Sequence, residues 1–332
     1  MKELRRRGLL AAGLTAGLSA PLILPGVARA QPRYPNRPIT LLCPWGAGGG
    51  TDATARIIAA LIEKDLGQPI NVVNRTGGNG VVGHSAIATA QPDGYTIGIL
   101  TVEIAMLRHA GLTQISWQDF TPIALVNEDP PGVQVSASAP WQDIKALAEA
   151  IKSSPPGRFK ASGTGQGGIW HLGLVGWLQA MGLKPDHVRW VPSNGAAPAM
   201  QDLAAGGVDI VTCSVPEARA MLDAGRARSL AIMAAQRNPQ FGQVPTLNET
   251  LGINFSTGAW RGIAGPKNLP DAMRQQLTAA VERAYNSAEY KDFMNARGFG
   301  MVWADAGGFG SFMGESDKAM GESMRAAGLA RG

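Results

Sequence analysis

The chain has 332 residues, with 30 Lys or Arg against 25 Asp or Glu, 45% apolar residues and two cysteines. Residues 1–30 hold five of the basic residues and one acid, so the remainder carries 25 basic and 24 acidic residues and a net charge of only +1. That balance excludes a basic nucleic-acid-binding surface, and no stretch beyond residue 30 reaches the roughly 20 uninterrupted apolar residues of a membrane span.

The N-terminal stretch reads as an export signal. "MKELRRRGLL" carries Lys2, Arg5, Arg6 and Arg7, an apolar run follows, and Ala28-Arg29-Ala30 is a small-x-small cleavage site. Cleavage after Ala30 and a periplasmic location are the expectation. Arg6-Arg7-Gly8-Leu9-Leu10 also fits a twin-arginine signal loosely, so the general secretory and twin-arginine routes both stay open. Thr15, Ser19, Pro21 and Pro25 interrupt the apolar run and argue against a permanent anchor. Cys43 and Cys213 lie in separate apolar, strand-like runs and read as two buried free thiols, although export permits a disulfide.

Beyond the leader, short apolar runs alternate with helical patterns. "PITLLCPW" reads as a strand, 51–66 as an amphipathic helix, "INVVNRTGGNG" as a second strand ending in turn residues, 81–90 as a helix and "DGYTIGILT" as a third strand. This β-α-β-α-β order predicts a parallel sheet with right-handed crossovers. "TPIALVNEDPPGVQVSAS" is an extended run broken at Pro130-Pro131-Gly132. A second α/β series follows, with helices expected at 141–153, 169–181, 196–205 and 216–224 and strands at "RFKASG", "HVRWVP", "GVDIVTCSV" and "ARSLAIMA". A further extended run, "STGAWRGIAGP", leads to a helix over 269–284 and an α-rich tail with one strand, "GMVWA". Two α/β series linked by two extended segments predict one domain built from about 32–130 plus 262–330 and a second inserted as 131–261. The result is a hinged α/β clamshell with its ligand cleft between the lobes.

Four glycine- or serine-rich loops stand where strands hand over to helices: 44–52 (PWGAGGGTD), 74–80 (NRTGGNG), 162–171 (SGTGQGGIWH) and 192–198 (PSNGAAP). Ligands collect at the carboxyl ends of parallel strands. A helix start there offers unpaired N–H groups and about half a positive charge, an anion site for carboxylate as well as phosphate. Phosphate fits poorly. Gly50-Thr51-Asp52 lacks the Lys of a Walker loop, and the second strand ends in Asn74 where a dinucleotide fold needs an acid for the ribose. Thr51 and Asp52 read as N-cap residues of the first helix.

Catalysis has little support. His84, His109, His171 and His187 are scattered without zinc spacing, and no G-x-S-x-G elbow appears. A Ser162–His171 dyad is conceivable, with a capping or hydrogen-bonding histidine as the simpler reading. Trp45, Trp170 and Trp260 adjoin the loops or a crossover, as wall or as packing. Arg75 and Arg261 stand as ligand cations or as solvated surface.

The segments "YPNRPITLLCPWGAGGGTDATAR", "VVNRTGGNGVVGHSAIATAQPDGYTIG", "SGTGQGGIWHLG", "VPSNGAAPAMQDLAAGGVDIV", "ARSLAIMAAQRNPQFGQVPTLNETLG" and "GIAGPKNLPDAMRQQL" resemble, in order and spacing, the substrate-binding proteins of tripartite tricarboxylate transporters, the Bug-type receptors. The resemblance implies a two-lobe periplasmic-binding-protein fold, the Venus flytrap. It also implies a small mono-, di- or tricarboxylate held largely by backbone N–H groups, no cofactor or metal, a monomer, and membrane permease subunits as partner. It places carboxylate contacts at Trp45, Gly46, Gly48, Gly49, Thr51 and Asp52 in the first loop and at Gly77, Gly78 and Asn79 in the second. In the third and fourth it places them at Ser162, Thr164, Gln166 and His171, and at Ser193, Asn194 and Gly195, the last loop closing at Pro198. Three departures concern the ligand's identity. Gly46-Ala47 and three glycines replace a Pro and a Gly pair, Ser193 replaces a Tyr, and Gly167 replaces a Ser. A module reporting ligand to a membrane kinase, or a periplasmic hydrolase built on Ser162 and His171, are the alternative readings.

Overall fold

Alternation along the first strand sets up the architecture. In β1 (Ile39–Cys43), Ile39, Leu41 and Cys43 are fully buried on one face, and Leu42 is buried with Ile87 and Leu100 on the other. A strand with both faces buried lies at the centre of a layered α/β structure. The computed structural model describes residues 34–331, so the expected export signal lies outside the described residues.

The chain continues through α1 (Gly50–Leu66), β2 (Ile70–Asn74), α2 (Val81–Ala88), β3 (Thr96–Thr101) and β4 (Phe120–Asp129). It crosses at Pro130-Pro131 into β5 (Gly132–Ser136), then α3 (Ile144–Ser153), β6 (Lys160–Ser162), α4 (Ile169–Ala180), β7 (Arg189–Trp190), α5 (Ala196–Ala205), β8 (Ile210–Val211), α6 (Val215–Asp223), β9 (Ala227–Ile232) and α7 (Leu247–Leu251). It returns through β10 (Ala259–Pro266), α8 (Asp271–Asn286), α9 (Ala288–Arg297) and α10 (Ala306–Ala326).

Two five-stranded sheets result, in the orders β2-β1-β3-β10-β4 and β7-β6-β8-β5-β9, one in each lobe. The expected parallel arrangement holds for β1, β2 and β3 and for β6, β7 and β8, while β10 runs antiparallel to both β3 and β4, and β5 antiparallel to β8 and β9. The reason is the connection. β10 returns from the other lobe with no crossover helix, so it can enter the sheet in the opposite direction. The two lobe crossings run side by side, because Ala259 at the start of β10 pairs with Asp129 at the end of β4.

Apolar faces fix each helix. Ala55, Ile58 and Ile62 of α1 pack with Leu277 and Val281 of α8 on the first sheet. Each fully buried Ile is worth about 1.5–3 kcal/mol relative to exposure. Ile144, Leu147 and Ile151 of α3 meet Val133, Val135 and Ile210 of the second sheet. The α3 helix starts at Ile144 rather than at 141, because the Asp143 side chain accepts the Ala146 N–H at 2.8 Å and caps it there. The expected tail strand reduces to a single bridge between Ala304 and Leu125. Among the described residues, no helix is long and apolar enough to cross a membrane.

Candidate functional site

The first glycine loop is held from within. Gly48, at φ 84°, turns its N–H onto the Asp52 carboxylate at 3.0 Å. The same carboxylate accepts from Asn74 Nδ2 and Arg56 Nε, both at 2.9 Å. Burial pushes the Asp52 carboxyl up, but Arg56, the Gly48 N–H and the Asn74 amide outweigh it and hold the carboxyl below its ordinary range. The N-cap of α1 is Gly49, with no side-chain cap, so Asp52 serves the turn and not the cap position, and Thr51 serves neither. The Thr51 hydroxyl instead accepts from Arg261 Nε at 2.9 Å.

Three helices point their N-termini at one small cavity of about 20 Å³ between the lobes, room for roughly one water. Gly49, Gly50 and Thr51 bring α1 to it, Ile169 and Trp170 bring α4, and Gly195 and Ala196 bring α5. Each helix start carries about half a positive charge. The lobes touch around the cavity. Gly46 N–H donates to the Asn194 carbonyl at 3.1 Å, and Asn79 Nδ2 reaches the Gln166 carbonyl at 3.5 Å.

Two carboxylates reach across the cleft in opposite directions. Glu217, the third residue of α6, caps its own helix through Ser214 and accepts the Gly50 N–H of the opposite lobe at 3.0 Å. Glu103, just after β3, accepts the Ile169 N–H of α4 at 3.3 Å and the Thr101 hydroxyl at 2.6 Å. The Thr101 hydroxyl in turn accepts from Trp45 Nε1 at 3.2 Å. Burial raises both glutamates above the ordinary carboxylate range, against the pull of donors and of Arg261.

Arg261 is 2% exposed, which overturns its reading as solvated surface. It pairs with Asp129 at 2.6 Å and Glu217 at 3.1 Å, and also donates to Asn127. Its charge is already matched inside the protein. Gly50 must be glycine for this arrangement, since a Cβ there would lie 2.8 Å from Glu217 Oε1 and 2.9 Å from Arg261 Nη2.

The expected site residues divide by position. Trp45, Gly46, Gly49, Thr51, Thr164 and Gly195 line the cavity. Gly48 and Asp52 brace the first loop. Gly77, Gly78 and Asn79, with φ of 127°, 58° and 57°, form the turn into α2, and Asn79 crosses the cleft to Gln166. Ser193 donates to the Gly195 carbonyl at 3.0 Å, and Asn194 supplies the carbonyl that meets Gly46. Ser162 donates to the Val191 carbonyl at 2.7 Å, whereas His171 accepts the Gly167 N–H at 3.0 Å and stacks on Trp190 at 4.7 Å. The two share no hydrogen bond and form no dyad, and burial lowers His171 to about 4, leaving it neutral.

Gly50, Thr101, Glu103 and Glu217 also line the cavity and are absent from the sequence expectation. Signals for two of them exist. Ser214-x-x-Glu217 is a capping box at a helix start, and Glu103 follows the carboxyl end of a parallel strand, where ligands collect. Cys43 and Cys213 are both buried and free, and burial pushes the Cys43 thiol up to about 12.

Comparison with known proteins agrees with this architecture. The model of the tripartite tricarboxylate transporter family receptor matches residues 54–329. A TctC solute-binding protein from Polaromonas, solved with no ligand, is 33% identical, with 88% of this chain and 99% of that one covered and a TM-score of 0.63. MatC from Rhodopseudomonas palustris with bound malate is 26% identical over 87% of this chain and 99% of its own, with a TM-score of 0.79. An R. palustris protein with adipate is also 26% identical, over 90% and 99%, with a TM-score of 0.84. The two-lobe α/β fold is that of periplasmic binding proteins. The chain belongs to the tripartite tricarboxylate transporter receptor family.

Proposed function

We propose that the protein is a periplasmic receptor that captures a small carboxylate between its lobes and delivers it to the membrane permease of a tripartite tricarboxylate transporter, acting as a monomer and without catalysis or cofactor. The lobes divide near the two crossings, about 34–130 with 259–331 against 131–258. The observation that carries this reading is the convergence of three helix N-termini, one from the first lobe and two from the second, on one cavity. Unpaired N–H groups at a helix start favour an anion. Drawing them from both lobes makes the bound anion a link between lobes, which stabilises the closed form by its differential affinity. Several charge-assisted hydrogen bonds of roughly 1.5–3 kcal/mol each are enough for micromolar binding, about −8 kcal/mol.

Two similar proteins hold malate and adipate, which fits a carboxylate as ligand. A thermal-shift screen of the purified protein against carboxylates, with sugars and nucleotides as controls, tests the reading. A ligand at 100 times its dissociation constant adds about 2.7 kcal/mol, several degrees in midpoint. The expected result is a shift with carboxylates and no turnover of them; shifts confined to sugars or nucleotides overturn it.

A further inference from the structure

Beside α10 lies a second cavity, of about 910 Å³, which shares Trp260 as a common wall with the small cavity at the helix starts. Both crossings line it, Glu128 and Pro130 from one and Thr257 and Gly258 from the other. Glu128 stands opposite Trp260 in the β4–β10 pairing, so the two side chains leave the same face of the sheet. The walls come from both lobes, Leu172 and Phe255 on one side and Phe312 and Met320 on the other. The volume is that of a site for a small organic molecule.

Its charge has one sign. Glu128 and Glu315 line the cavity, and no Lys, Arg or His among the described residues does. Glu128 is half-buried. Burial, and then the charge of Asp129, raise its carboxyl above the ordinary range, and no hydrogen-bond donor pulls it back. A bound cation offsets both causes. The carboxylate lies over Gly258, where a Cβ would collide with Glu128 Oε1. Next to that glycine, the Thr257 hydroxyl oxygen is buried with no hydrogen-bond partner among the described residues. Buried polar groups are nearly always paired, so the lining holds two unmet acceptors side by side.

Aromatic rings supply the rest. Phe255, Trp260 and Phe312 all line the cavity, and the last two meet edge to face with centroids 5.8 Å apart. Phe255 lies against α4 at Gly176, where a Cβ would collide with its ring. Ring faces attract organic cations. An anion would meet two acids, and a neutral apolar molecule would leave Glu128 and Thr257 unpaired. A bare metal ion has no set of three ligating side chains among the described residues.

We propose that this cavity is a second binding site, separate from the carboxylate cleft, for a small organic cation. The ligand is a protonated amine whose apolar body packs against Phe255, Trp260 and Phe312 and whose N–H groups face Glu128 and the Thr257 hydroxyl.

Calorimetric titration of the purified protein at pH 7.5 with phenethylammonium, against its neutral isostere 2-phenylethanol, tests this. The expected result is saturable binding of the cation, at least about fivefold tighter than the alcohol. Glu128→Gln should remove that preference and leave the response to carboxylates in the thermal screen unchanged. Thr257→Val should weaken the cation and spare the alcohol, and it reads the site should Glu128→Gln fail to fold. Cation binding that is absent, no tighter than the alcohol, or unmoved by these variants overturns the inference and leaves the receptor reading standing. A variant that loses the carboxylate response together with the cation merges the two sites and overturns it as well.

Discussion

Arg261 shows how a single side chain organises the cleft. Its guanidinium joins the Thr51 hydroxyl at the start of α1, Asp129 at the first crossing and Glu217 on the second lobe. A buried ion pair adds little net stability over a well-packed apolar replacement, but removal of one partner strands the others. Arg261→Met therefore leaves Asp129 and Glu217 buried without their cation. Chemical denaturation should show a loss of about 3–5 kcal/mol, and a loss below about 1 kcal/mol would mean that the acids find other partners or protons. The sequence could not assign this residue. Arg261 stands 44 residues from Glu217 and 132 from Asp129, and no local pattern announces partners so far apart. Glu103 and Glu217 carry local signals, a strand end and a capping box, but those do not announce the N–H donor that each meets on the opposite lobe.

Elements whose determinants are local were legible. The first loop, α1 and the β1-α1-β2-α2-β3 order follow from alternation, glycine placement and helical periodicity. The direction of β10 did not follow, because it depends on where the chain re-enters the sheet and not on its own residues. One tie between elements makes a pH prediction. His84 on α2 donates from Nδ1 to the Gly80 carbonyl at 2.8 Å and accepts the Thr101 N–H of β3 on Nε2 at 3.3 Å. It is fully buried, and burial lowers it from 6.5 to about 4. Between those values the unfolded chain binds a proton that the folded one refuses, so stability falls as pH drops through the window and is intact above it. At pH 5 the loss attributable to His84 is about 2 kcal/mol relative to pH 7.5. His171 adds to the fall, while the raised Glu103 and Glu217 oppose it. Urea unfolding of wild type and His84→Gln at both pH values isolates the histidine. The variant should lose less on acidification, and equal losses would contradict the assignment.

For the whole molecule, the two crossings lie side by side at Asp129 and Ala259, and the proposed receptor function has the lobes swing about that edge while the loops meet at the other. Function then rests on a balance. Cross-cleft contacts from Gly46, Asn79, Glu103 and Glu217 already join the lobes, and a ligand must offer more than it displaces. The two-lobe plan was legible from the two α/β series and their extended connections. The cavity's charge was not, because it is set by residues that the fold gathers from both lobes. The most direct measurement is backbone amide hydrogen exchange with and without a saturating carboxylate ligand found by the thermal screen. The account predicts protection concentrated at 46–53, 164–171 and 194–199, in loops from both lobes at once. Protection confined to one lobe, or centred on the separate cavity of about 910 Å³ beside α10, would contradict it.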